Sequence, residues 1–511
     1  MPNASRDAIA PTYRRTHLNR TKVVTVVFCL VVLPALLLFM AMRPAIAASP
    51  KPYNELQFAP LPTLKLPPYE QFTLKNGMKV FLMENHELPL VEGTLLVKTG
   101  SRNEPGTQTG LASITGSVMR SGGTTQHPAN VLNELLEQKA ASIESGVGVN
   151  SGSVGFSSLT EDLPTVFDLF SEVVQSPVLP QDKIDLAKFQ ARGGIARRND
   201  QANSIMGREF RKLIYSDTSP YARTVEYTTI DAIKQSDLRQ FYQTAFRPEN
   251  FILGISGDIN PRQMRSLIEA RFANWKAAPT PVNSNAKNLT PNPKTPGIYI
   301  ANKSDLTQSS IQMGHLGGKV SDSDYPALSV MNEILSGFGG RLFNEVRSRQ
   351  GLAYSVYAAW SPQFDYPGIF VAGGDTKSES TVPFIKSVRT EIDRIRTEPV
   401  SAQELKRAKD SVENSFIFNF DSPGKVLGRL LKYEYFGYPK DYLFQYQKAV
   451  AAISIEDVQR AAQKNLQPDR IVTMIVGNTA AIKPPLSNLN QPITTIDITI
   501  PKAPQSPVLK P

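Results

Sequence analysis

An α+β fold written twice, each copy a mainly antiparallel sheet covered by helices, is predicted by three observations. First, the stretch 232–258 recurs without a gap as 452–478. Ala232-Ile233 matches Ala452-Ile453, Asp237 matches Asp457, Pro248 matches Pro468, and Ile255-Ser256-Gly257-Asp258 matches Ile475-Val476-Gly477-Asn478. Recurrence at a fixed spacing marks a module present more than once. Second, 511 residues exceed what one hydrophobic core organises and suit two domains of roughly 200 residues each. Third, in both copies an amphipathic helix (238–244 and 458–464) passes through a Pro turn into an apolar strand (251–255 and 471–476), the alternation of elements expected of a layered α+β domain.

Proline-rich segments divide the chain. Residues 48–68 carry six prolines and read as an extended tether, 277–296 as an interdomain linker, and 482–511 as a mobile, Pro-rich tail. Two domains remain, 69–276 and 297–481. Residues 1–47 stand apart from both. Arg14, Arg15, Arg20 and Lys22 precede an apolar run over 23–42, and Ala45-Ile46-Ala47 has the small-x-small pattern of a signal-peptidase site. Cleavage after Ala47 and retention of 23–42 as a membrane anchor both fit, since twenty apolar residues span roughly 30 Å. Either way the body of the chain is expected to be exported: periplasmic, lumenal or secreted.

In the first domain, Phe72–Phe81 alternates apolar and polar residues around Asn76-Gly77, which predicts a hairpin with a type I′ turn. Residues 95–98 continue as a strand. Helical periodicity follows at Val131, Leu132, Leu135 and Leu136, a strand is expected over 146–156, and a helix over 163–174. In the second domain a helix with Pro326 in its first turn and Leu328, Met331 and Leu335 on one face ends at Gly337. A short helix, 342–349, is then stopped by Gly351, and a β-rich run starts near Tyr354.

Composition excludes several classes of function. Residues 1–47 hold six Lys/Arg and one Asp, so without them the net charge falls from +10 to +5. With no long basic run, a nucleic-acid partner is not expected. The only cysteine, Cys29, lies in the apolar run, so the body has no disulfide, thiolate metal site or cysteine nucleophile. No nucleophile elbow, phosphate loop or dinucleotide fingerprint occurs, and the Gly-rich stretch 146–155 lacks phosphate-loop spacing. His86, His127 and His315 are isolated, without the helical spacing of zinc-ligand pairs.

The segment richest in chemistry is 335–357. Gly337, Gly339 and Gly340 break the chain between two helices. Arg347, near a helix end, and Tyr354, just past the turn, are expected to lie close together and to offer donors to a peptide carbonyl or carboxylate. On residue types alone, a surface arginine and a packing tyrosine also account for the pair.

Here the chain resembles the insulinase/pitrilysin family of zinc peptidases, and within it the processing-peptidase-like branch. That family carries Gly-Gly-Arg-Leu-Phe…Arg-x-x-x-Gly-Leu-Ala-Tyr in its second domain, matched by Gly339-Gly340-Arg341-Leu342-Phe343 and Arg347…Gly351-Leu352-Ala353-Tyr354. The resemblance covers about residues 69–481. It implies two homologous domains in a clamshell-like chamber, with Arg347, Tyr354 and the loop glycines 337, 339 and 340 contacting substrate.

The family's metal motif, Gly-Leu-Ala-His-x-x-Glu-His, reads Gly110-Leu111-Ala112-Ser113-Ile114-Thr115-Gly116-Ser117 in this chain. Ser113 and Ser117 stand at the histidine positions and Gly116 at that of the glutamate. The family's third ligand, a glutamate some 75 residues on, has no counterpart, because no Glu occurs between Glu172 and Glu209. Hydroxyls bind zinc poorly, and a metal-bound water needs its base. The resemblance therefore implies a subunit with no catalytic residue and no metal of its own. Its zinc would be held by a homologous partner, the pair binding a peptide substrate. The alternative is a scaffold that has kept the fold and lost proteolysis.

Overall fold

A computed structural model describes residues 64–276 and 291–503. The proposed signal or anchor, most of the tether, linker residues 277–290 and the last eight residues lie outside this range. Among the described residues no helix is long and apolar enough to cross a membrane.

The first half contains β1 (Glu70–Thr73), β2 (Lys79–Glu84), β3 (Leu90–Val97), β4 (Ser142–Val147), β5 (Gly152–Leu159) and β6 (Phe251–Gly257). Its main helices are α1 (Leu111–Ser121), α2 (Ala129–Gln138), α3 (Leu163–Gln175), α4 (Gln181–Ala196), α5 (Ala202–Tyr215), α6 (Gln235–Ala245) and α7 (Pro261–Phe272). The sheet order is β1-β2-β6-β3-β5-β4, antiparallel except where β2 meets β6. Gly77 is the only residue of the β1–β2 turn at positive φ (+93°); its N–H donates to the Leu74 carbonyl, and that of Leu74 to the Met78 carbonyl. This is a type I turn with a glycine bulge rather than the expected type I′ turn, which needs two positive-φ residues. The Asn76 amide donates to the Phe272 and Trp275 carbonyls at the end of α7. The strand expected over 146–156 is a β4–β5 hairpin closed by the Gly148 N–H bond to the Ser151 carbonyl.

The second half contains β7 (Gly297–Asn302), β8 (Gln308–Leu316), β9 (Ala353–Ser361), β10 (Ile369–Lys377), β11 (Val472–Gly477) and β12 (Ile493–Thr495). Helices α8 (Tyr325–Ser336), α9 (Thr381–Thr397), α10 (Ala402–Ser415), α11 (Pro423–Phe436), α12 (Tyr442–Ala452) and α13 (Ile455–Asn465) complete it. The order β7-β11-β8-β10-β9 repeats that of β2-β6-β3-β5-β4. The sixth strands differ. β1 is an N-terminal antiparallel strand, whereas β12 comes from the C-terminal segment and pairs parallel to β7. Residues 482–503, expected to be a mobile tail, are thus docked: Ile482 and Leu486 are buried, the Ile496 N–H donates to the Ile300 carbonyl, and Asn199 reaches the Ile498 carbonyl. Isoleucines at 493, 496 and 498 give this segment the β-branched apolar groups that the prolines obscure.

Both faces of each sheet are covered, so β6 and β11 are buried along nearly their whole length, as expected of strands between two layers. On the first sheet, Val80, Leu82, Leu95 and Leu253 face that half's own helices, while Phe81, Met83 and Ile252 face Val426, Leu427, Leu430 and Leu431 of α11. Helix α5 reciprocates. Its Ile205, Met206, Phe210 and Ile214 pack against Val371, Val472, Met474 and Val476 of the second sheet. Each half lends one helix to the other's sheet. Strand glycines admit both helices: a Cβ on Gly254 would lie 2.7 Å from Leu431 Cδ1, and one on Gly314 3.0 Å from Phe210 Cζ.

Candidate functional site

Helix α1 follows Gly110, whose φ of +111° favours glycine. The Gly110 and Ala112 N–H groups donate to Glu104 Oε1 and Oε2 at 3.0 and 2.7 Å, so a buried carboxylate satisfies the free amides at the helix start. Burial raises the Glu104 pKa above its ordinary value against the pull of these amides and of Arg223. Ser113 and Ser117, one turn apart, are exposed; the Ser117 hydroxyl donates to the Ile114 carbonyl. Gly116 faces inward. A Cβ there would lie 2.5 Å from Val147 N and 2.7 Å from Gly146 C, and Ser145 Oγ donates to the Gly116 carbonyl at 2.6 Å.

These positions do not fit zinc. They supply two hydroxyls and a glycine whose side-chain volume is taken by the β4 backbone, where zinc needs imidazole, thiolate or carboxylate. Among the described residues no group of three or more His, Cys, Asp or Glu is placed to hold a metal. The three described histidines are engaged elsewhere: His127 with Glu172, His86 with Glu84 and Asp258, and His315 between the Leu316 carbonyl and the Gln467 N–H.

The Gly-rich segment follows α8. The Gly337 N–H closes that helix on the Glu333 carbonyl, Gly339 turns the chain at a φ of +71°, and the Gly340 N–H returns to the Gly337 carbonyl. A Cβ on Gly340 would lie 2.8 Å from the Leu335 carbonyl oxygen. The expected short helix is a π-helix over Phe343–Arg349, its wide turn marked by the Gln350 N–H bond to the Glu345 carbonyl. Such turns are rare and recur at functional sites.

This turn brings Arg347 and Tyr354 together. The Arg347 guanidinium lies 4.9 Å from the centroid of the Phe343 ring and 5.4 Å from that of Tyr354, within cation–π range. Arginine neighbours are tied down: Arg341 forks onto Glu404, and Arg349 pairs with Glu345. The Arg347 guanidinium has no hydrogen bond or ion pair to any described residue. Tyr354, 84% exposed, opens β9, an edge strand paired only with β10. Geometrically the element can offer two donors and a free strand edge to an incoming carbonyl or carboxylate.

Sequence reasoning passed over Phe338, 95% exposed at the tip of the Gly-rich loop, and matched Phe343 to the family motif without foreseeing that it lies under the Arg347 guanidinium. A phenylalanine between glycines was the available signal, since an aromatic on a loop has little core to join. No hydrogen bond or ion pair links α1 to the Arg347/Tyr354 element among the described residues. The former sits against the first sheet and the latter at the edge of the second.

Two six-stranded α+β halves, a degenerate metal motif and an Arg/Tyr element define a peptidase-like protein with no metal-binding set in its described residues. Residues 79–227 match the insulinase peptidase family M16, and 232–412 match the M16 peptidase inactive domain. The chain belongs to the M16 insulinase family. It is similar to an uncharacterized zinc protease, YmxG, of Bacillus subtilis, at 20% identity over 80% of this chain and 98% of the relative. A non-peptidase homolog, YmxG of Helicobacter pylori, is 22% identical over 78% of this chain and 91% of its own length. Among solved structures, the M16 inactive domain from Pseudomonas fluorescens superposes with a TM-score of 0.72 at 24% identity, over 82% of this chain and 99% of that one.

Proposed function

We propose that this chain is a non-catalytic, substrate-orienting subunit of a two-chain insulinase-type zinc peptidase. It binds peptide in extended form and completes the active site of a homologous partner that carries the intact zinc motif. One observation carries the reading. Arg347 and Tyr354 stand together with no hydrogen-bond or ion-pair partner for the guanidinium among the described residues, while the position of the family's catalytic base is closed by packing at Gly116. An extended peptide would add to the free edge of β9, where Arg347 and Tyr354 would hold a backbone carbonyl near the bond to be cut. Zinc and its base would come from the partner, whose docking completes the chamber. Residues 1–47 would direct export, with 23–42 as a cleaved signal or an anchor, and the two halves would descend from one duplicated module.

The test is reconstitution. The purified chain alone should cleave no peptide and bind no stoichiometric zinc. Added to a partner with the His-x-x-Glu-His motif, it should raise peptidase activity, and Arg347→Ala should lower that gain by about 10- to 100-fold, the scale expected when a positioning contact is lost. Peptide hydrolysis by the isolated chain would reject the proposal. The packing at Gly116 also fits a scaffold that has kept only the fold. In that case Arg347→Ala and Tyr354→Phe would leave any partner's activity unchanged.

A further inference from the structure

We propose that the cleft bounded by α8, α10, α11 and α12 is a binding site for a carboxylate carried on an apolar or aromatic body. It lies away from the Arg347/Tyr354 element. Tyr325, which lines it, opens the twelve-residue α8, and the Gly-rich loop follows the other end of that helix, about 18 Å away. The cleft encloses about 560 Å³, within the size range of small-ligand sites.

Its charge is one-sided. Lys425, Arg429 and Lys432 line the cleft, and no Asp or Glu does. Among the described residues only Lys425 has an acidic partner, Asp421. Among the described residues Arg429 has neutral partners: it donates to Asn419 Oδ1, lies beside the Tyr433 hydroxyl, and keeps a buried Nε with no hydrogen-bond partner. The Asn419 amide is held by its own bond to the Phe416 carbonyl at 2.7 Å. Lys432 lies 4.5 Å from the centroid of the Phe364 ring and makes no ion pair with a described residue. Partial desolvation of its ammonium group and the neighbouring Arg429 charge depress the Lys432 pKa, as expected where positive charge is uncompensated. A buried arginine edge without an acceptor costs free energy that a carboxylate would recover through charge-assisted bonds.

The rest of the wall suits an apolar body. Tyr325 and Tyr446 stack at 5.2 Å, Tyr433 meets Tyr442 edge-on at 5.6 Å, and Val412 and Leu443 add aliphatic lining. The Tyr442 hydroxyl donates to the Val320 carbonyl, which fixes that ring. Such a lining disfavours a heavily hydrated polyanion. A carboxylate of this kind comes either as a free aromatic acid or as the C-terminus of a peptide ending in an apolar residue.

Calorimetric titration of the chain tests this without a partner subunit, so its outcome is separate from that of the peptidase reading. The probes are hydrocinnamate, N-acetyl-Ala-Phe with a free carboxylate, the amide of that dipeptide, and inorganic phosphate. Saturable binding of at least one carboxylate is expected, with the amide about tenfold weaker or worse, as loss of a charge-assisted pair implies. Stronger binding of the dipeptide assigns the site to peptide ends, and stronger binding of hydrocinnamate to free acids. Arg429→Gln and Lys432→Gln should each weaken the carboxylate about tenfold, and Arg429→Lys should lose less. Lys432 is exposed, so its variant is informative even if Arg429→Gln misfolds. Equal binding of acid and amide, no saturable binding of either carboxylate, or tighter binding of phosphate would overturn the proposal.

Discussion

At Gly116 the backbone of β4 occupies the volume that a side chain would need, so the missing glutamate is more than a changed letter. Gly116→Ala would gain roughly 0.5–1 kcal/mol of helix propensity against an overpacking cost of about 1–3 kcal/mol. Net destabilisation is expected, measured as a lower urea midpoint, and a midpoint at or above wild type would refute the packing argument. The triple change Ser113→His, Gly116→Glu, Ser117→His should for the same reason give no stoichiometric zinc by metal analysis. The vacant motif could be read from the residues. Closure of its volume could not, because β4 approaches α1 only in the folded chain. Arg347 and Tyr354, seven apart across a glycine stop, were legible as neighbours, whereas the isolation of Arg347 from every described carboxylate depended on which acids Arg341 and Arg349 captured.

Among the elements, α10 anchors the Gly-rich loop. Ser401 and Glu404 form a capping box at its start, and Glu404 also takes the Arg341 fork. Burial alone would raise the Glu404 pKa, but Arg341 and the Ser401 amide outweigh it and bring it from an ordinary 4.5 down to about 2. A carboxylate depressed on folding contributes stability above its unfolded pKa and loses it as pH falls toward the folded one. The contribution should therefore be full above about pH 4.5 and fade toward pH 2. Denaturation series across that window should show a shallower acid slope for Glu404→Gln than for wild type; identical slopes would show that the ion pair adds nothing. Capping residues, helix stops and hairpin positions were readable because their chemistry is local. The π-helix over 343–349 and the type I turn at Gly77 were not. The turn's Asn76 side chain is bonded to α7, almost two hundred residues away in sequence.

For the whole molecule, the exchange of α5 and α11 makes each sheet depend on the other half. Leu430 and Leu431 of α11 are buried against the first sheet, and Leu430→Ala should cost about 2–5 kcal/mol, as such core truncations do. Because the helix belongs to one half and the sheet to the other, the loss should lower the stability of the whole body in a single transition. Calorimetry resolving a destabilised half beside an unchanged one would contradict the interlock. The repeated helix–Pro–strand unit made the two sheets foreseeable. The exchange escaped notice because the apolar stripe of α11 does not name the surface it will meet, and the docked segment 482–503 because its prolines outweighed its scattered isoleucines.

By itself the sequence determined the α+β class and the two halves, since periodicity is a local property, and its motifs carried the resemblance to the insulinase family against which the metal-ligand positions read as vacant. Tertiary structure alone decided that Gly116 is closed, that Arg347 lies between two rings with no ion-pair partner among the described residues, that three cations share one cleft, and that each half covers the other's sheet. Those outcomes rest on contacts that exist only once the chain is folded: Gly116 meets the β4 backbone, Arg341 reaches Glu404, and α5 and α11 each pack on the other half's sheet.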